Sequence, residues 1–143
     1  MIGGAITRNS ALCATELPAY CSSRVNLGFP KSKRLTRAAD FDRVKKEGRV
    51  QRGALVTLSV LKDVDPEEAG FRAGFITSRR VGGAVERNRV RRRLRDIVRR
   101  HQHNFRAGFW IVIIARAAAT RASYRELEDE WLRLARHASI LAP

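Results

Sequence analysis

A chain of 143 residues has room for one compact core and not for two. It carries 29 lysines and arginines against 14 acidic residues, a formal charge of +15, yet 44% of it is hydrophobic. That balance excludes a wholly disordered chain and predicts a folded domain whose cationic surface attracts polyanions. The longest apolar run, Phe109 to Ala115, is only strand length, and the first residues lack the pattern of a secretory signal, so the expectation is a cytoplasmic protein without membrane contact. Cys13 and Cys21 are too few for a metal quartet; their spacing permits a local disulfide without requiring one, and free thiols are the plain reading.

Residues 1–30 mix small residues, isolated apolar side chains, Pro18 and Pro30 without a sustained period, and read as a flexible N-terminal extension to a domain spanning 31–143. A short helix is expected from Thr36 to Glu47, capped by Thr36, with Phe41 and Val44 on one face and Gly48 as a left-handed stop. Two strands follow, Ala54 to Leu61 and Phe71 to Thr77; the charged turn from Asp63 to Gly70 between them makes a hairpin the cheapest connection.

After Gly82 and Gly83, the spacing of Val90, Leu94, Ile97 and Val98 predicts a helix with a narrow buried stripe. Asn88, Arg92, Arg95 and Arg99 are expected on the opposite side as a cationic ridge. Arginines at helical neighbour spacing repel each other by a few tenths of a kcal/mol per pair, so the segment from Arg87 to Arg100 makes physical sense beside an external polyanion. Arginine's planar fork of donors favours phosphate, hence nucleic acid. The two glycines either let phosphate approach the helix mouth or only cap the helix.

Trp110 to Ala115 reads as a central strand buried on both faces. Ser123 and Glu126 form a capping box for a last helix whose buried face is Leu127, Trp131, Leu134, Ala135 and Ala138, with Asp129 and Glu130 complementing its dipole. This order of elements describes an α+β sandwich. Phe41 has two open readings, as a stacking platform for an RNA base or as a core residue. His101 reads as a packed or helix-end histidine, Tyr124 and Trp131 as structural. With no acidic cluster or hydrolase constellation in the sequence, catalytic and metal-ligating residues are expected to be none.

The segment Arg79-Arg80-Val81-Gly82-Gly83-Ala84-Val85-Glu86-Arg87-Asn88-Arg89-Val90-Arg91-Arg92 resembles the protein subunit of bacterial ribonuclease P, and the likeness extends over most of Arg34 to His137. Gly83, Lys45 and Trp110 depart from the asparagine, aromatic and acidic residues usual in that family at the matching positions. The resemblance implies a ribosomal-protein S5 domain 2-like sandwich with a left-handed βαβ crossover, against the general right-handed preference. It implies an endoribonuclease holoenzyme subunit, monomeric within the ribonucleoprotein, whose partners are the ribonuclease P catalytic RNA and precursor tRNA and whose Mg2+ is held mainly by RNA. Arg87, Asn88, Arg89, Arg91, Arg92 and Arg95 would bind the catalytic RNA, and Arg37, Phe41, Arg52 and Arg79 the five-prime leader. The rival reading is a ribosomal or RNA-chaperone-type protein with no role in cleavage.

Overall fold

The computed structural model describes residues 31–62 and 70–142; the expectations for residues 1–30, Cys13 and Cys21 among them, lie outside these, as does most of the turn after Lys62. Helix α1 (Ala38–Glu47) is followed by β1 (Arg49–Arg52), β2 (Val56–Lys62) and β3 (Arg72–Thr77). Helix α2 (Ala84–His101), strand β4 (Phe109–Ala115) and helix α3 (Tyr124–His137) complete the chain order. The four strands form one sheet in the order β1-β2-β4-β3.

That order overturns the hairpin expected between β2 and β3. The hairpin partner of β2 is β1, while β4 runs antiparallel to β2 and parallel to β3. The nearly unbroken apolar run of β4 is the physical reason: it is the segment able to be buried on both faces, so it takes a central place and separates the other two. Helix α2 is thus the crossover of a parallel β3-α2-β4 unit, and the whole is the mixed α+β, S5 domain 2-like sandwich that the resemblance implied.

Residues paired across strands point to the same face, so the register sorts the side chains. One face carries Val56, Leu58, Val60, Ala73, Ile111 and Ile113, and packs on Val90, Leu94, Ile97 and Val98 of α2 and on Leu127, Trp131, Leu134 and Ala135 of α3. Both helical stripes are those read from the sequence. The Ser123 box also forms: the Ser123 N–H donates to Glu126 Oε2 at 2.7 Å, and the Glu126 N–H donates to Ser123 Oγ at 3.2 Å. Glu130 has another task than the helix dipole: its Oε1 accepts the Leu55 N–H at 2.9 Å and tethers the β1–β2 turn to α3.

The other face carries Leu61, Trp110 and Val112 and is covered by Val44 and Phe41 of α1 together with Leu35 just ahead of it. Helix α1 begins two residues later than expected, with Arg37 at the cap position and no side-chain cap bond, and Gly48 leaves it in extended conformation, φ −75°, not left-handed. The chain must continue directly into β1, which an extended residue allows and a left-handed turn would not.

Candidate nucleic-acid interface

Helix α1 covers only part of its sheet face. At one end the cross-strand row Leu61, Trp110 and Arg72 includes two side chains less than a tenth exposed, Leu61 and Trp110. At the other end the row Arg52, Thr57, Ile114 and Ile76 crosses all four strands, with Arg52 exposed and the remaining three half-buried. Val50, on the same face of β1, is 45% exposed although aliphatic. The result is an open groove with an apolar floor and α1 as its wall.

Phe41 stands at that wall, half-buried, with its ring directly over Gly74 of β3. It packs against the second hydrophobic cluster and keeps part of its surface open, so the core reading holds for one part of the ring. Arg37 is exposed one turn earlier on α1. Arg79 is exposed in a 3-10 turn (Arg79–Val81) that leaves the same end of β3 as Ile76 and is anchored by buried Val81. Arg52 lies on β1, at the opposite edge of the sheet from β3, about 14 Å away by three strand spacings. The four residues assigned to the leader therefore do not form a single cluster: Phe41, Arg37 and Arg52 belong to the α1 side of the sheet, while Arg79 sits in a turn anchored by Val81 in the other core.

The mouth of α2 settles the reading of the two glycines. Gly82 has φ +142°, a backbone conformation that side-chain-bearing residues rarely adopt, so glycine is favoured at this position. The Gly83 N–H donates to Glu86 Oε2 at 2.9 Å. The helix's own glutamate thus takes the place of an anion at its N-terminus, and the glycines act as a cap instead of a phosphate cradle.

The cations of α2 divide into three groups. Asn88, Arg89 and Arg92 are exposed along its crest. Arg87, Arg91 and Arg95, spaced four apart, flank the buried stripe on the β3 side; Arg91 Nη2 donates to Thr77 Oγ1 at 2.7 Å, and the Arg95 guanidinium lies 5.9 Å from the Phe75 ring centroid. Each of these three arginines has a buried Nε–H without an acceptor among the described residues. Burial first, then the positive charges of Arg34 and Arg91, hold the Arg95 guanidinium below its ordinary pKa. Arg95 is therefore a flank residue, not part of the outward ridge expected from spacing.

The third group is satisfied within the protein. Arg93 Nη1 donates to the Ala122 carbonyl at 3.0 Å, while Arg99 and Arg100 reach Asp96 at 2.7 and 3.2 Å. The expectation that Arg99 joins the ridge fails for this reason. Burial pushes the Asp96 carboxyl up, but hydrogen bonds from the Tyr124 hydroxyl and Arg99, with the Arg100 and Arg99 charges, outweigh it and hold Asp96 below its ordinary value. The same Asp96 contact, after burial, pushes the Tyr124 hydroxyl far up. His101 packs as expected, its ring stacked on Trp131 and its Nε2 2.9 Å from Glu128.

Sequence reasoning missed Arg34, whose contact with the β3 edge brings it beside Arg95: the Leu35 N–H donates to the Ala73 carbonyl at 3.0 Å. Nothing local in the sequence marks that bridge. No group of three or more His, Cys, Asp or Glu that could hold a metal occurs among the described residues, and no helix there is long and apolar enough to cross a membrane.

The ribonuclease P family model matches residues 29–139. The ribonuclease P protein component of Acidothermus cellulolyticus is 43% identical over 106 residues, covering 74% of this chain and 88% of the relative; that of Chloroflexus aggregans is 38% identical over 112 residues, covering 78% and 81%. Among solved structures, the ribonuclease P protein of Staphylococcus aureus superposes with a TM-score of 0.71 at 25% identity, covering 78% of this chain and 99% of that one. The Thermotoga maritima protein gives 0.63 at 28% identity, covering 72% and 96%. With the family match spanning the described domain and its α2 crest, the chain belongs to the bacterial ribonuclease P protein family, the non-catalytic subunit of the ribonucleoprotein that processes the five-prime end of precursor tRNA.

Proposed function

We propose that α2 binds the catalytic RNA through Arg87, Asn88, Arg89, Arg91, Arg92 and Arg95, and that the groove beside α1 holds the single-stranded leader of precursor tRNA. The observation that carries the first part is the row Arg87, Arg91 and Arg95: three guanidinium groups whose buried Nε–H groups lack acceptors among the described residues, one of them beside a fourth arginine. Phosphate oxygens supply counter-charge to this row and acceptors to those guanidinium N–H groups that reach the surface. The exposed crest residues extend the contact outward.

The leader reading rests on the groove's chemistry. A half-open aromatic wall at Phe41 and an aliphatic floor at Ile76 and Ile114 suit unstacked bases, and Arg37, Arg52 and Arg79 at the margins suit their phosphates. The chain's own work is then positional and electrostatic: it neutralises phosphates, orients the substrate and adds leader-dependent affinity. The described residues offer no carboxylate cluster fit for Mg2+, and we assign the holoenzyme's magnesium to RNA ligands. A single protein per ribonucleoprotein accompanies this reading.

Titrating salt against binding of a bacterial ribonuclease P RNA tests the α2 contact. Arg91→Gln is expected to weaken binding and reduce the salt slope by about one. Unchanged affinity and slope in a folded variant would reject the contact. Equal binding of unrelated structured RNAs, without any effect on cleavage, would favour the RNA-chaperone reading instead.

A further inference from the structure

Between the C-terminal ends of α2 and α3 lies a recess of about 570 Å3 that neither the α2 crest nor the leader groove uses. Its lining includes Leu132, Leu141, Asn104, Arg106, Arg136 and Ser139. Backbone bonds fix its walls: the Arg106 N–H donates to the Ile140 carbonyl at 3.0 Å and the Ala142 N–H to the Asn104 carbonyl at 2.7 Å, while Leu141 pairs with Phe105. Phe105 packs its ring inward on Phe71 and Trp131, which leaves its neighbours Asn104 and Arg106 to the recess. His101 closes the inner wall, its ring stacked on Trp131 and its Nε2 held by Glu128.

Arg106 and Arg136 are exposed and have no acidic partner among the described residues. Leu132 and Leu141, both half-buried, give the recess an apolar floor between these charges. Ser139 ends α3 in the left-handed conformation, φ +56°, where glycine is the usual residue; its N–H donates to the Arg136 carbonyl at 3.0 Å and the Ile140 N–H to the Ala135 carbonyl at 3.2 Å. The serine keeps, at a cost in backbone strain, a hydroxyl at the rim without a partner among the described residues. Two cations, two small polar groups and an apolar floor match a nucleotide: phosphate oxygens for the arginine forks, base edges for Asn104 and Ser139, and the flat body of the base for the leucines.

The recess begins about 14 Å beyond Arg92 along α2, past Arg99 and Arg100, whose charges Asp96 engages. RNA that lies on the α2 crest and continues toward the end of the helix meets Arg106 and Arg136 as its next arginines without an acidic partner. A duplex keeps its bases stacked and offers such a recess only backbone, whereas an unpaired nucleotide enters it. An acidic protein would need apolar surface around the recess to hold it; the exposed large hydrophobics among the described residues, Val50 and Val85, lie on β1 and at the other end of α2. We propose that the recess holds one unpaired nucleotide of the catalytic RNA, its phosphate on Arg106 and Arg136 and its base over Leu132 and Leu141. This rests on the reading that α2 lies against the catalytic RNA, and it gives that RNA a second anchor at the far end of the helix.

The experiment binds the full chain to a bacterial ribonuclease P RNA without substrate, measures affinity against salt, and maps 2′-hydroxyl acylation along the RNA. The unsubstituted protein is expected to protect an unpaired nucleotide that Arg106→Gln and Arg136→Gln each leave reactive. Each of the two should lower affinity about three- to tenfold and reduce the salt slope by about one. Arg133→Gln, exposed on the same helix but outside the recess, is expected to do neither. Ser139→Gly should melt at a higher temperature and still bind about twofold more weakly, a split that a purely structural serine does not give. Equal losses for Arg133→Gln and Arg136→Gln, or protection confined to paired nucleotides, would overturn the nucleotide site in favour of a diffuse cationic surface. Full affinity in Arg106→Gln and Arg136→Gln beside a loss in Arg91→Gln would overturn the recess and leave the α2 contact standing. Full affinity in all three would overturn both. Arg106 and Arg136 are exposed, so their replacement leaves the core intact and reads binding alone.

Discussion

The ring of Phe41 fills the space above Gly74 that a side chain at that position would need: a Cβ there would collide with Cε1 of the ring. The groove wall and the sheet are thus fitted to each other by the absence of one methyl group. Gly74→Ala is expected to push the ring outward and cost about 1–3 kcal/mol of stability, as overpacking does. A melting temperature equal to that of the unsubstituted protein would contradict this fit. In binding, the variant should lose affinity for leader-bearing substrates while retaining it for leaderless tRNA.

Arg89 and Arg93 stand four residues apart on α2 and should behave oppositely. Arg89 is exposed on the crest; Arg93 is held by the Ala122 carbonyl. Arg89→Ala is expected to change stability by no more than about 0.5 kcal/mol and to reduce the salt slope of RNA binding by about one. Arg93→Ala should lower stability by about 1 kcal/mol with a smaller effect on the slope. Reversal of the two patterns would show that the division of α2 into bound and free cations is wrong.

Asp96 gives the domain a pH-dependent tie between α2 and α3. Its folded pKa is depressed, so its stabilisation is fully present above the unfolded value, about 3.9, and is lost as pH falls through the folded value. Melting temperatures from pH 7 down to pH 2.5 should fall in the acid range for the unsubstituted protein. In Asp96→Asn, stability at pH 7 should be lower by about 1–2 kcal/mol and the acid decline shallower. An unchanged acid limb would remove Asp96 from that account.

Glu130 joins α3 to the β1–β2 turn by accepting the Leu55 N–H at 2.9 Å and, more distantly, the Val56 N–H at 3.5 Å. Glu130→Ala leaves these part-buried donors unmet and is expected to cost about 1–3 kcal/mol. Glu130→Gln keeps an acceptor oxygen and should recover most of that loss in a thermal melt. Equal destabilisation by both would mean that charge, and not the accepted hydrogen bond, holds the turn.

The elements with strong local patterns were legible: the stripe Val90, Leu94, Ile97 and Val98, the Ser123–Glu126 box, and the apolar run of β4 each state their own environment. Strand β1 was not, because Arg49-Val50-Gln51-Arg52 is an exposed edge with one aliphatic residue and no alternation to read. Strand order was not either. Local cost favours pairing β2 with β3, and only the burial demand of β4 places it between them. The identities of the cationic residues were plain, but their division into crest, flank and internally bonded groups depends on α2's rotation against β3 and α3. The groove floor required register across four strands, and Arg34 joined the arginine flank through a single bridge outside any regular element. Family identity came from the Arg87-Asn88-Arg89 motif and its neighbours, which charge alone would have left as a polyanion binder.

The most direct test of the central claim, that this chain assists a catalytic RNA by neutralising and positioning phosphate, is precursor-tRNA cleavage by a bacterial ribonuclease P RNA with and without the protein across magnesium concentration. The protein is expected to stimulate cleavage strongly at low magnesium and progressively less as the ion rises, because added cations replace part of its electrostatic role. Folded protein that gives no stimulation at low magnesium, or that cleaves precursor tRNA after the RNA has been removed, would contradict it.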